Sequence, residues 1–187
     1  MSVVGMKDAA WADEVIDFWF RELGEPGWFA RSEEVDARIR ARFLRLHERL
    51  AADGAFDGDD PRELLAAILV LDQFSRNMFR GTPRAFAADA LARRLARKVV
   101  DLQLDRRMTR EERMFVYLPF EHSEDIDDQA LAVSLIGELG NEYWTRYAVA
   151  HQRIIERFGR FPHRNAVLGR VSTAEELALL NEPMGSF

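Results

Sequence analysis

Eight consecutive apolar residues, Leu64 to Leu71 (LLAAILVL), run directly into Asp72-Gln73-Phe74-Ser75-Arg76-Asn77. Asp60 can cap a helix here, Pro61 suits its first position and Glu63 its third. A helix that is apolar on every side must be enclosed by other elements, so the rest of the chain has to fold around this one. Its continuation then carries polar side chains into the same interior, where each needs a partner. Asp72 and Arg76 are i,i+4 neighbours, as are Gln73 and Asn77. Two arrangements fit that spacing. In one, Asp72 pairs with Arg76 while Gln73 and Asn77 bond to loop backbone. In the other, this end of the helix, with Arg80, lines a pocket.

The enclosing elements also read as helices. Val35, Ile39, Phe43, Leu46 and Leu50 step along one face of an amphipathic helix. Gly81 reads as a stop and Thr82-Pro83 as the next start. Thr109-Arg110-Glu111-Glu112 and Ser172-Thr173-Ala174-Glu175 read as capping boxes. Asp125 or Asp127 can cap the run to Leu139, and Asn141 the run to Phe158, which Gly159 closes. The expectation is about eight helices, near 9–22, 33–52, 61–80, 83–103, 110–118, 125–139, 142–158 and 173–181. No β-branched run of period two is long enough for a strand. Short connections make sequential helices antiparallel neighbours, and residues 1–187 read as a single all-α domain.

Composition removes whole classes of chemistry. The chain has no cysteine, which excludes disulfides, thiolate metal sites and cysteine nucleophiles and suits a reducing compartment. The segment MSVVGMKDAAWADEV has neither the basic start nor the apolar stretch of a secretory leader, so a cytoplasmic location is expected. No window is apolar for long enough to span a membrane. A formal charge of −6 leaves no global field for nucleic acid. Locally the balance reverses: Arg153 to Arg170 holds five arginines against Glu156 alone.

Other polar residues stand in unusual places. Asp89 shares a stripe with Ala85 and Phe86, where an arginine from 71–80 would explain it. Pro119 is expected to end or kink its helix, leaving His122, Ser123 and Glu124 at a junction with free backbone donors. His122 can be a base, a ligand or a cap. His151 belongs to the stripe Trp144, Tyr147, Ala148, Ile155, Phe158, the usual setting of a satisfied core histidine. The irregular segment Arg157 to Asn165 sets Arg160, His163, Arg164 and Asn165 among phenylalanines, a composition found both in ligand loops and at ordinary core rims.

At these positions the chain resembles a known family. LDQFSRNMFRG (71–81), AFAAD (85–89), YLPFEHSE (117–124), HQRIIERFGRFPHRN (151–165) and LGRVSTAEE (168–176), with Phe18-Trp19-Phe20 and Trp28-Phe29, resemble the bacterial domain of unknown function 924 family. The resemblance covers nearly the whole chain, with its motifs in order. It implies an all-helical fold similar to tetratricopeptide-repeat-like domains, although the W-x₂-L-G-x₂-Y repeat signature is missing, and it brings no activity with it. Ser75 stands where the family more usually has proline, a departure expected to make this helix more regular.

Most named mechanisms fail. There is no G-x-S-x-G elbow, P-loop or dinucleotide fingerprint, and His47-Glu48 lacks the second histidine of a zinc-protease motif. His122, Glu124, His151 and His163, with Asp72, offer metal-ligand types without a diagnostic spacing, so no metal or other cofactor is expected. Two function classes remain in front, the first ahead by a narrow margin. A binding module would hold an anionic small molecule or a peptide carboxylate with Arg76, Arg80, Arg160 and Arg164, oriented by Asn77, His122 and His163, with Asp72 and Asn165 in the same polar wall. An enzyme acting on a small anionic substrate would use His122 or His151 as base, oriented by Glu124 or Asp72. Catalysis needs a histidine–carboxylate hydrogen bond facing the pocket, whereas binding needs only the donors. A third possibility, a protein-interaction scaffold, needs an exposed groove lined by Phe18, Trp19, Trp28 or Phe29.

Overall fold

The structure, a computed structural model, describes residues 10–53 and 58–182. The expected helix start at position 9, and most of the segment read for a leader, lie outside the described residues. Among the described residues there is no strand, and the helices form one all-α domain. No described helix is long and apolar enough to cross a membrane.

Helix α1 (Ala10–Asp17) continues into wide π-helical turns at Phe18–Leu23, followed by a short α2 (Glu25–Trp28) and a long α3 (Glu33–Asp53). Helix α4 (Pro61–Ile68), π-turns over Leu69–Phe74 and α5 (Ser75–Met78) follow one another without a break. Then come α6 (Asp89–Asp101), α7 (Arg110–Glu121), α8 (Ile126–Gly137), α9 (Glu142–Phe158) and α10 (Ala174–Leu179). Asp60, Thr109, Asp125 and Asn141 accept backbone N–H groups at the starts of α4, α7, α8 and α9. Gly159, in the left-handed region at φ 66°, closes α9. The C-terminal capping box is shifted by one residue: Thr173 pairs with Glu176, while Ser172 accepts from Asn165 instead.

Three local expectations are corrected. Thr82 does not start a long helix, because its hydroxyl donates backwards to the Phe79 carbonyl; a 3₁₀ turn at Pro83–Phe86 precedes α6. Pro119 does not end α7. The helix runs on to Glu121, its later carbonyls accepting from the buried Gln129 amide, at 2.6 Å for Glu121. Nor does Ser75 regularise its helix. The six residues before it form π-turns, and its hydroxyl donates to the Leu71 carbonyl at 2.7 Å while meeting His47 Nε2 at 2.8 Å. Wide turns of this kind rotate the downstream residues relative to the upstream face, and they recur at functional sites.

Leu64 to Leu71 are enclosed as expected, packed among α1, α3, α6 and α7. An aromatic cluster of Phe18, Trp19, Phe43, Phe74 and Phe115 fills the interior beside them. A smaller apolar group, Ile154, Ile155, Phe161 and Leu179, seals the C-terminal end. Helices α6, α7, α8 and α9 pack successively. The site lies where the polar end of the α4–α5 rod meets α7 and α9.

Candidate functional site

A cavity of about 650 Å³ opens at this meeting point. Its apolar and aromatic lining includes Trp28, Met114, Leu118, Ile136 and Trp144. Its polar lining includes Arg31, Gln73, Arg76, Asn77, Arg80, Glu121, His122, His151, His163 and Arg164. Such a lining, apolar walls with a few convergent polar groups, is the common make-up of small-molecule sites.

Behind the polar wall stands Asp72, 0% exposed. Its carboxylate lies 2.8 Å from His122 Nδ1 and 3.0 Å from Arg76, and accepts from Gln73 at 2.6 Å. Burial works to raise the Asp72 pKa and is the largest single influence, but Arg76 and His122 together hold it well below the usual carboxylate range. An ionised carboxylate only accepts, so the His122 proton sits on Nδ1. Burial, then Arg76, lowers the His122 pKa against the opposing pull of Asp72. The ring is therefore neutral at neutral pH, and Nε2 carries the lone pair.

Asp89 pairs with Arg76 as its position suggested, in a fork at 3.0 and 3.1 Å. Gln73 and Asn77 bond to side chains rather than loop backbone: Gln73 to Asp72, Asn77 to Asp36 at 2.7 Å. Asp36 also receives Arg80 in a fork at 2.8 and 3.0 Å.

Glu121 is the functional candidate that sequence reasoning missed. It is 5% exposed on the cavity wall, and burial followed by the negative charge of Asp72 pushes its pKa up to about 8. Burial also takes His151 down to about 3. His151 Nδ1 lies 2.9 Å from the Tyr147 carbonyl, which can only accept, and 3.1 Å from Glu121. The close approach of Glu121 and His151 thus joins two groups that are both neutral at neutral pH, not an ion pair. The signal was present: Glu121 follows Tyr117 by four and Leu118 by three, on a buried stripe. Expecting Pro119 to stop the helix hid it.

The structure brings Arg76, Asn77, Arg80, His122, His151, His163 and Arg164 around one cavity, with Asp72 beneath them. His122 and His151 ring centroids are 6.4 Å apart. Glu124, Arg160 and Asn165 are not on that wall. Glu124 accepts the Phe161 N–H at 2.7 Å and a fork from Arg170 at 2.8 and 2.9 Å. Arg160 forks onto Glu176 at 2.6 and 2.8 Å, and Asn165 reaches Ser172 and Glu176. These three knit the C-terminal segment together. The metal-ligand types considered together are thereby split, and among the described residues no three such groups are placed to hold an ion.

No curated protein matches the chain. The family model described as bacterial protein of unknown function (DUF924) matches residues 15–184. A solved structure, a protein of unknown function ATU0120 from Agrobacterium tumefaciens, is 41% identical, covers 94% of this chain and 99% of its own, and superposes with a TM-score of 0.88. The chain belongs to the DUF924 family of bacterial proteins.

Proposed function

We propose that the cavity is the active site of an enzyme that performs acid–base chemistry on a small amphipathic molecule. The observation that carries this reading is the 2.8 Å bond between His122 Nδ1 and the enclosed Asp72 carboxylate, in a residue of the cavity wall. Asp72 fixes the tautomer and steadies the imidazolium that forms when Nε2 takes a proton, the role of the carboxylate in histidine dyads and triads. Protonated Glu121 supplies a hydrogen-bond donor or general acid on the same wall. Two titratable groups with opposite tendencies at one cavity are the usual basis for assigning base and acid.

The four-arginine binding module is less well supported. Arg76 and Arg80 already serve aspartates, and Arg160 lies elsewhere. A scaffold groove finds little support either, because Phe18, Trp19 and Trp28 are buried and only Phe29, at 58%, is exposed. The successive packing of α6 to α9 supports a tetratricopeptide-like stacking of hairpins whose inner face holds the cavity.

The test is incubation of wild type and His122→Gln with a bacterial small-molecule extract, followed by mass spectrometry. The expected result is a compound consumed by wild type and consumed at least about a hundredfold more slowly by the variant. A compound retained equally by both proteins and consumed by neither would replace the enzyme with a binding module.

A further inference from the structure

Arg164 is held firmly and neutralised incompletely. It is 7% exposed, with its guanidinium 4.7 Å from the Phe86 ring centroid and 4.5 Å from that of Phe161. Nη2 donates to the His122 carbonyl at 3.0 Å. Nε has no hydrogen-bond partner, and Nη1 stands 3.6 Å from Asp89, beyond hydrogen-bond length. Arg76 takes both Asp89 oxygens. Burial, then the like charge of Arg76, lowers the Arg164 pKa to about 10 against the opposing pull of Asp89, Glu124 and Asp72. An arginine stacked on rings and tied at one nitrogen holds its Nη1 N–H groups in a fixed orientation, the pre-organisation that suits charge-assisted recognition of an anion.

The charge around the cavity sets the size of that anion. Three carboxylates (Asp36, Asp72 and Asp89) stand against Arg76, Arg80 and Arg164, and the exposed Arg31 adds a fourth guanidinium to the lining. The wall histidines and Glu121 are neutral at neutral pH. One positive charge is left over. Apolar and aromatic residues, Trp28, Leu118 and Trp144 among them, line the same cavity of about 650 Å³.

We propose that Arg164 anchors a ligand bearing a single carboxylate on an apolar, ring-sized body. This names the substrate class of the site proposed above and rests on that cavity being the functional one, but not on catalysis there. The anchored carboxylate lies beside the backbone of His122, the residue that carries the base. A phosphate dianion would bring a second negative charge that nothing on the wall matches.

The probes are 2-naphthylacetate, its neutral amide 2-naphthylacetamide and the dianion 2-naphthyl phosphate, titrated into wild type by calorimetry. The acid is expected to bind at least about tenfold tighter than either analogue, the factor one charge-assisted hydrogen bond supplies. Arg164→Gln, which removes the charge, should lose that preference while binding the amide as wild type does. Should the variant fold poorly, the acid-to-amide ratio of wild type alone decides. Equal affinity for acid and amide, tighter binding of the phosphate, or no binding of the acid would each overturn the anchor. His122→Gln should keep the preference for the acid. A protein that keeps it while consuming nothing from a bacterial extract has lost the catalytic reading alone.

Discussion

Glu121 and Glu124 stand three residues apart on either side of the end of α7, and they belong to opposite regimes. Glu124 faces the C-terminal segment, where Arg170 and the Phe161 N–H lower its pKa although burial opposes them. Arg160 and Glu176 repeat the pattern nearby, one fork to one carboxylate. Glu121 faces the cavity, has no arginine of its own, and is driven neutral by burial and by Asp72. Arginines, histidines and carboxylates are plentiful in both regions. They differ in bookkeeping: the C-terminal cluster matches charges one to one, whereas the cavity wall makes Arg76 serve two aspartates and leaves Arg164 short. Residue types alone do not separate the two regions; how their charges are paired does.

The harshest way to break this contrast is Asp72→Ala. It removes the carboxylate that Arg76, His122 and Gln73 share, and leaves a buried cation with Asp89 alone. Urea denaturation should show a loss of about 3–5 kcal/mol, the usual result of stripping one partner from a buried pair. A loss below about 1 kcal/mol would mean that Asp72 is not central to the wall.

A pH titration of stability separates the two glutamates by sign. Glu121 has its pKa raised from 4.5 to about 8, so its contribution is complete below pH 4.5 and is lost as pH climbs through 8. Against Glu121→Gln, which cannot titrate, wild type should lose up to about 1.4 kcal/mol per pH unit across that window. Glu124, held below 4.5, contributes above that pH and loses its contribution on acidification, so Glu124→Gln should differ from wild type in the opposite direction. Slopes of the same sign for both variants would dissolve the distinction.

Arg170→Ala tests the structural side. Removing a fork to the half-buried Glu124 and a bond to the Phe161 carbonyl should cost about 2 kcal/mol by urea denaturation. Hydrogen exchange should quicken in α10 and around Phe161 while α4 stays protected.

Much of the architecture was legible before the structure, because caps and apolar periodicity are local. Asp60, Thr109 and Asn141 announced their helices, and the apolar run at 64–71 announced its own burial. The polar run after it stood out for the same reason, since charge inside a core needs an explanation. What stayed hidden depends on partners distant in sequence. Arg160 and Arg164 look alike in the segment RFGRFPHRN, and only the positions of Glu176 and Asp89 tell a closely paired guanidinium from a loosely paired one. The π-turns at 69–74 left no local signature either, and they help set which way Asp72 and Arg76 face.

Arg80→Ala is the finest test, because here the two properties come apart. Its fork with Asp36 is 41% exposed on the arginine side, so its removal should change stability by less than about 1 kcal/mol. Asp36 keeps the Asn77 amide at 2.7 Å, so the carboxylate is not stranded. Yet the substitution takes one guanidinium from the cavity wall and leaves three against three carboxylates. Affinity for 2-naphthylacetate should fall by several-fold, about 1 kcal/mol, and more steeply at low salt where the field is less screened. Arg170→Ala should show the reverse pattern, a larger stability loss with unchanged affinity. If both variants moved stability and affinity together, the cavity and the C-terminal cluster would be one electrostatic unit, and the division at the end of α7 would mark no functional boundary.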